Sequence, residues 1–217
     1  MSVDWELKLK AFLYRAPWGA LCDRPPEGGK LVREFWGNDD LKVVEEAHAL
    51  ATALSGSRFL DEGDWGVWKQ NPTLVHPLAG KGFPVKETVR SVESGRIEEE
   101  VKKALDQLWS LLPDNPSSED FRKLFLAVWR LLPDPGWNGL KGLPPGIREI
   151  WELLPADPRV PDHSIWDLAS AASALAGTYD RDGGFKPALL LFTIASAQEF
   201  LAEARRTQDL WMGGYLL

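Results

Sequence analysis

Three stretches of this chain close on one pattern, Trp-x-Leu-Leu-Pro, at Trp109 to Pro113, Trp129 to Pro133 and Trp151 to Pro155. Proline has no N–H for a helix ladder and pushes the residue before it out of the helical region, so each pattern marks a helix end. Apolar residues recur at helical spacing ahead of these ends. The first stripe is Ile97, Val101, Ala104, Leu105, Leu108 and Leu112; the second is Phe121, Leu124, Phe125, Val128 and Leu132. A third, shorter helix is predicted from Pro145, with Ile147, Ile150, Trp151 and Leu154 on its apolar side. Ser117-Ser-Glu-Asp120 offers a capping box to open the second of these. The tryptophans lie 20 and 22 residues apart, so a helical repeat is one reading. The intervening loops do not match one another, which favours three helices of one bundle, each packing its tryptophan in the core.

The rest of the chain extends this helical picture. Trp5, Leu9, Phe12 and Leu13 fall on one face of a first helix that Pro17 stops. Residues 23–30 read as loop, and a second helix runs from about Asp39 to Leu54 with Val44, Ala47, His48 and Ala51 along one face. Residues 56–95 are rich in glycine and proline and read as loop with short extended pieces near Thr73–Val75 and Phe83–Val85. A further helix is expected from Asp162 to Ala176, with Gly177 at its C′ position. Thr178 to Gly184 carries the strongest linker composition in the chain. Beyond it, Ala188 to Ile194 is a continuous apolar run suited to a buried strand. Ser196-Ala-Gln-Glu199 opens a helix reaching about Leu210. The expected division is therefore a helical domain over residues 1–177, a linker over 178–184, and one strand with one helix over 185–217. Such a remnant cannot bury a sheet face by itself.

Composition narrows the function classes. Charged residues make up 26% and hydrophobic residues 44%, as in an ordinary globular chain. The net charge of −7 argues against gripping bare nucleic acid over the whole surface, though not against a local basic patch such as Arg205-Arg206. The apolar run 188–194 is far short of the roughly 20 residues that span a bilayer. No apolar segment of signal-peptide type follows Met1, and the single cysteine, Cys22, cannot pair internally. A cytoplasmic protein without membrane contact is the expectation.

The candidate chemistry is sparse. His163 and Asp167 stand four residues apart, so on a helix an imidazole and a carboxylate share a face and are candidate metal ligands. Catalytic metal sites ordinarily take three protein ligands, and the third is not evident. Asp157 and Asp162 flank the start of the same helix and read as caps. His48 reads as a core or helix-surface histidine and His76 as a structural one. Cys22 reads as inert. Ser196, opening a helix after a buried strand, and Gln198 beside it are candidate nucleotide contacts, because helix N-termini hold phosphate. Eleven tryptophans invite a sugar-binding reading. Trp5, Trp109, Trp129, Trp151 and Trp166 lie on or beside apolar stripes, however, and core packing explains them, while Trp36, Trp65 and Trp68 remain candidates for exposure.

Several segments together resemble a known family. Arg159-Val-Pro-Asp-His-Ser-Ile-Trp-Asp167 with Ser173-Ala-Leu-Ala-Gly177 is one. Leu191-Phe-Thr-Ile-Ala-Ser-Ala-Gln-Glu-Phe200 running into Ala204-Arg-Arg-Thr-Gln-Asp-Leu-Trp211 and Gly214-Tyr-Leu-Leu217 is another. Trp5-Glu-Leu-Lys-Leu-Lys-Ala-Phe-Leu13 and His76-Pro-Leu-Ala-Gly80 fit in the same order. They resemble the N-terminal part of the large subunit of type III-B CRISPR effector complexes. The resemblance implies a mainly α fold: an HD-like helical domain followed by the first strand–helix unit of a ferredoxin-like palm domain. In that family the HD domain cleaves single-stranded DNA with a divalent metal (Mn, Ni or Mg). A later palm with a Gly-Gly-Asp-Asp motif makes cyclic oligoadenylates from ATP.

The departures are informative. Nuclease-active members carry His-Asp at the end of the first helix, where this chain has Tyr14-Arg15; many have His after the later Trp-Asp, where it has Leu168. Tyr and Leu are poor metal ligands, and Arg15 brings positive charge to the position of a cation. The resemblance thus implies an inactive HD site with no bound cofactor, no ATP chemistry by this chain alone, and a structural role in antiviral defence. The implied partners are other subunits of the ribonucleoprotein and, through them, guide RNA and target RNA. The competing expectations are a residual metal-dependent nuclease using His163, Asp167 and His48 or His76, and a stand-alone Trp-rich binding module.

Overall fold

The structure, a computed structural model, describes residues 3–37, 41–53, 65–76, 79–85, 89–90 and 92–188. Residues 189–194 of the predicted strand and the helix after it, with Ser196, Gln198, Arg205 and Arg206, lie outside the described residues.

The described chain is mainly helical. In order it runs through α1 (Trp5–Leu13), α2 (Lys30–Trp36), α3 (Lys42–Ala53), the single turn α4 (Val67–Gln70), strands β1 (Thr73–Val75) and β2 (Gly82–Pro84), α5 (Ser94–Trp109), α6 (Ser118–Leu131), the single turn α7 (Pro145–Arg148), α8 (Ile165–Ala176), and strands β3 (Tyr179–Asp180) and β4 (Gly184–Phe185). Helix α1 is central. It lies against α3, α6 and α8, and α3 also packs on α8. The spacing that marks α1 in the sequence buries Leu9, Ala11, Phe12 and Leu13 at this junction. Phe12 stacks on Trp166 of α8 and meets Phe125 of α6 edge-on. Two capping boxes fix helix starts: Ser117 with Asp120 for α6, and Ser164 with Asp167 for α8. Each satisfies two backbone or hydroxyl groups at a helix end that has no internal partners.

Several expectations change. Helix α2 falls in a stretch with no clear periodicity and precedes the predicted second helix; Gly29, at φ +76°, turns the chain into it. The predicted helix from Pro145 is broken. After α7, Ile150 leaves helical geometry, and a 3-10 turn spans Trp151–Leu153. The cause is tertiary. Trp151 donates its indole N–H to the Leu132 carbonyl at 2.7 Å, and Ile165 N–H binds the Leu154 carbonyl at 2.8 Å, so the segment serves neighbours instead of its own ladder. Helix α8 starts at Ile165, not Asp162, and Gly177 closes it at φ −66° without a left-handed turn.

The three Trp-x-Leu-Leu-Pro tryptophans occupy three environments, which removes the repeat reading. Trp151 is fully buried, Trp109 is half-buried against Phe35 and Trp36, and Trp129 is 46% exposed with its N–H on the Ser170 hydroxyl. Core packing therefore holds for Trp151 and not for Trp129. Conversely Trp65 and Trp68, candidates for exposure, are buried.

Residues 178–184, linker by composition, lie in a tight hairpin: Tyr179 pairs with Phe185 and Asp180 with Gly184, and Lys186 bridges Asp180 at 2.6 Å. The chain divides into two compact units, residues 1–186 and 187–217. Among the described residues no helix is long and apolar enough to cross a membrane.

Candidate functional site

Two places gather the titratable side chains that the sequence singles out. The first is the C-terminal end of α1. Tyr14 is the C-cap residue, and its N–H reaches the Ala11 carbonyl one turn back at 3.5 Å. His48, reaching from α3, donates Nε2–H to that carbonyl at 2.6 Å; a carbonyl only accepts, so the proton is assigned to Nε2. His48 is buried, and its Nδ1 has no hydrogen-bond partner among the described residues. Burial, with the nearby Arg15 cation adding, lowers its pKa to about 4 against the opposing pull of the carbonyl. It is therefore neutral at pH 7.

Tyr14 packs its ring against His48 at 4.7 Å. The chain at Gly28 and Gly29 closes over it: Gly29 N–H binds the Tyr14 carbonyl at 2.7 Å, and a Cβ on residue 28 would stand 2.5 Å from the Tyr14 ring. Burial, then the charge of Glu45, holds the Tyr14 hydroxyl above its usual pKa, so it stays protonated. Arg15 is largely desolvated, which lowers its pKa, while the charges of Tyr14 and Asp157 raise it; its Nε has no hydrogen-bond partner among the described residues.

Asp157 is buried and wholly engaged. Arg159 gives it a backbone N–H and Nε–H at 2.9 Å each on Oδ1, and an Nη2–H at 2.5 Å on Oδ2. The Arg159 guanidinium also lies over the Trp65 ring at 5.4 Å. Asp157 is thus an ion-pair partner and not the helix cap expected of it. This cluster of Tyr14, Arg15, His48, Asp157 and Arg159 was missed as a unit by sequence reasoning. Its signal was Arg15 after an apolar helix and the Asp157-x-Arg159 spacing. As a metal centre the donor set does not fit. It offers one imidazole lone pair, a phenol, a carboxylate saturated by arginine, and two guanidinium cations that would repel a divalent ion.

The second place is an open depression of about 370 Å³ lined by Leu74, Val75, Glu152, Leu153, Pro161, Asp162, His163, Ser164 and Asp167. The segment around 154–156 pairs with 163–165 through Ala156 N–H to the His163 carbonyl and Ile165 N–H to the Leu154 carbonyl, and Val75 N–H binds the Pro161 carbonyl. These bonds hold His163 at the rim.

His163 precedes the α8 N-cap, so it and Asp167 do not share a helix face as their spacing alone predicts. Both line the depression, but each carboxylate already has work. Asp162 binds His163 Nδ1 at 2.6 Å, and Asp167 Oδ2 accepts from the Ser164 N–H and hydroxyl at 3.1 and 2.7 Å. Neither His48 nor His76 lines this depression. His76 is exposed, and its Nδ1 accepts the Ala79 N–H at 3.2 Å. Among the described residues no group of three or more His, Cys, Asp or Glu side chains is placed to hold a metal ion. Leu168, where the family resemblance leads one to look for histidine, is buried in the core. Burial pushes the Cys22 thiol up from its usual pKa, away from the reactive thiolate.

Comparison with known proteins gives these arrangements a context. Residues 189–217 match the family described as "CRISPR-associated protein Cmr2, N-terminal". The chain is 41% identical over 170 residues to the CRISPR system Cmr subunit Cmr2 of Pyrococcus furiosus, an alignment that takes in 67% of this chain and 19% of the relative. The chain therefore spans about a fifth of the length of that curated relative. No solved structure matches the chain significantly.

Proposed function

From the premise that this chain resembles the N-terminal part of Cmr2, the large subunit of type III-B CRISPR complexes, we propose that it serves as the N-terminal portion of such a subunit in antiviral defence, with a structural role and an inactive HD site. The observation that carries this reading is Arg15. It follows the first helix, where nuclease-active members of the family have the Asp of His-Asp. There it lies within the field of Asp157 and adds its charge to the burial that chiefly keeps His48 neutral. A guanidinium in that position does the electrostatic work of a cation without the coordination chemistry of a metal. The tilted contact of the Tyr14 ring with His48 supports the same reading, since it packs the imidazole into the core instead of opening it to a ligand.

Under this proposal residues 1–177 are a degenerate HD-like domain. Residues 185–217 begin a palm in which Ser196 and Gln198 are candidate nucleotide contacts. The 217 residues contain no Gly-Gly-Asp-Asp, so ATP chemistry by this chain alone is not expected. Its partners are the other subunits and, through them, guide and target RNA.

The test is to incubate the purified chain with single-stranded DNA and Mn²⁺ or Ni²⁺, and to measure bound metal alongside. No cleavage and no stoichiometric metal are expected. Metal-dependent cleavage lost in His163→Ala would overturn the structural reading in favour of a residual nuclease. Affinity purification from the native host is expected to recover partner subunits and RNA.

A further inference from the structure

A third depression, away from both clusters above, has a different chemistry. It is an open hollow of about 500 Å³ lined by Arg96, Lys141, Gly142, Leu143, Pro144, Pro145, Arg148 and Glu149. Three cations converge there on a chain whose net charge is −7. Arg96 comes from the first turn of α5, Lys141 from the loop after the 3-10 turn Asn138–Leu140, and Arg148 from the end of α7.

The supports are stiff. Leu140 and Leu143 are buried and anchor the loop, and Pro144-Pro145 restrict its backbone. Glu100, itself paired with Lys103 at 3.0 Å, packs so closely under Gly142 that any side chain there would meet it. Arg148 donates Nε–H and Nη2–H to the Pro135 carbonyl at 3.1 and 2.7 Å, which locks the guanidinium plane and leaves its other edge available. Arg96 and Lys141 are exposed and form no ion pair among the described residues. The acid on the rim, Glu149, has an interaction of its own.

We propose that this hollow takes the phosphodiester backbone of a nucleic-acid strand, with Arg96, Lys141 and Arg148 as its cations. A strand is favoured over a small phosphorylated molecule because most backbone donors around the hollow are already spent. Pro144 and Pro145 have no N–H, and those of Leu143, Ile147 and Arg148 are spent on carbonyls within the loop. Charge is therefore read by side chains on an open rim, which suits a sequence-independent, salt-sensitive association with successive phosphates. The proposal stands on this charge arrangement and not on the family reading: a chain that recruits no CRISPR subunit would still show it.

The experiment is fluorescence anisotropy of labelled oligothymidylate and oligouridylate with the full chain across a range of salt concentrations. Removal of two cations in R96Q/K141Q is expected to weaken binding and to flatten the plot of log affinity against log salt by about 1.4, at about 0.7 for each single-strand phosphate left without its cation. The exposed control R122Q, on α6, is expected to leave the slope unchanged. An unchanged slope in R96Q/K141Q, an equal flattening in R122Q, or no binding by the parent chain at low salt would each overturn the proposal. So would full displacement of the oligonucleotide by inorganic phosphate at equal charge concentration, which would assign the hollow to a small anion.

Discussion

His48 contributes stability that depends on its staying neutral. Its pKa falls from the ordinary 6.5 to about 4 in the folded chain, so between those values the unfolded state binds the extra proton. Stability is then full above about pH 6.5, declines as pH falls toward 4, and levels off below; the loss from this one group is about 3 kcal/mol. Urea titrations at pH 7 and at pH 4.5 are expected to show this difference. It should shrink in His48→Gln, which keeps an N–H for the Ala11 carbonyl and removes the titration. The Asp157–Arg159 pair behaves differently, because its charges are already desolvated. Asp157→Asn leaves two guanidinium groups short of their counter-ion and is expected to cost about 3 kcal/mol in chemical denaturation. Arg159→Met added to it should recover part of that loss. The apolar face carrying His48 was legible from periodicity. Its carbonyl partner was not, since Ala11 lies 37 residues away and meets His48 only where α3 packs against α1.

At the scale of elements, local signals held where the chain satisfies itself. The α6 capping box was legible in Ser117 to Asp120 because both partners lie within one turn. Ser117→Ala and Ser164→Ala are each expected to cost about 1 kcal/mol, read as a lower thermal midpoint with unchanged helical circular dichroism. Gly29→Ala is expected to cost more than a surface substitution, about 1–2 kcal/mol. It places a side chain at φ +76° and within 2.5 Å of the Leu41 side chain. The strands β1 and β2 were also visible, as extended pieces around 73–75 and 83–85, but their antiparallel pairing was not. The start of α7 at Pro145 was visible too, but the break after Arg148 and the 3-10 turn that follows were not. A ten-residue apolar pattern is too short to hold a helix by itself, and hydrogen bonds to Leu132 and Ile165 decided its shape.

For the whole molecule, the described core lies within residues 1–186, and this unit is expected to unfold cooperatively without the remainder. A chain ending at Lys186 should keep a single sharp thermal transition. One ending at Gly184 should melt lower, because it loses Phe185 against Tyr179 and the Lys186–Asp180 bridge. A broad, non-cooperative melt of the chain ending at Lys186 would refute the independence of this unit.

The amino-acid sequence by itself determined the helical class, the apolar faces and the capping box that starts α6, because these follow from spacing over one or two turns, and its motifs carried the family likeness. Tertiary structure alone decided which tryptophans are covered, that Asp157 is an ion-pair partner and not a cap, and that His163 stands outside its helix. It also brought Tyr14, Arg15, His48 and Asp157 into one field. Burial and Coulomb interaction depend on distance in space, and these residues are set within reach of one another only when α1, α3 and the loop before α8 pack together.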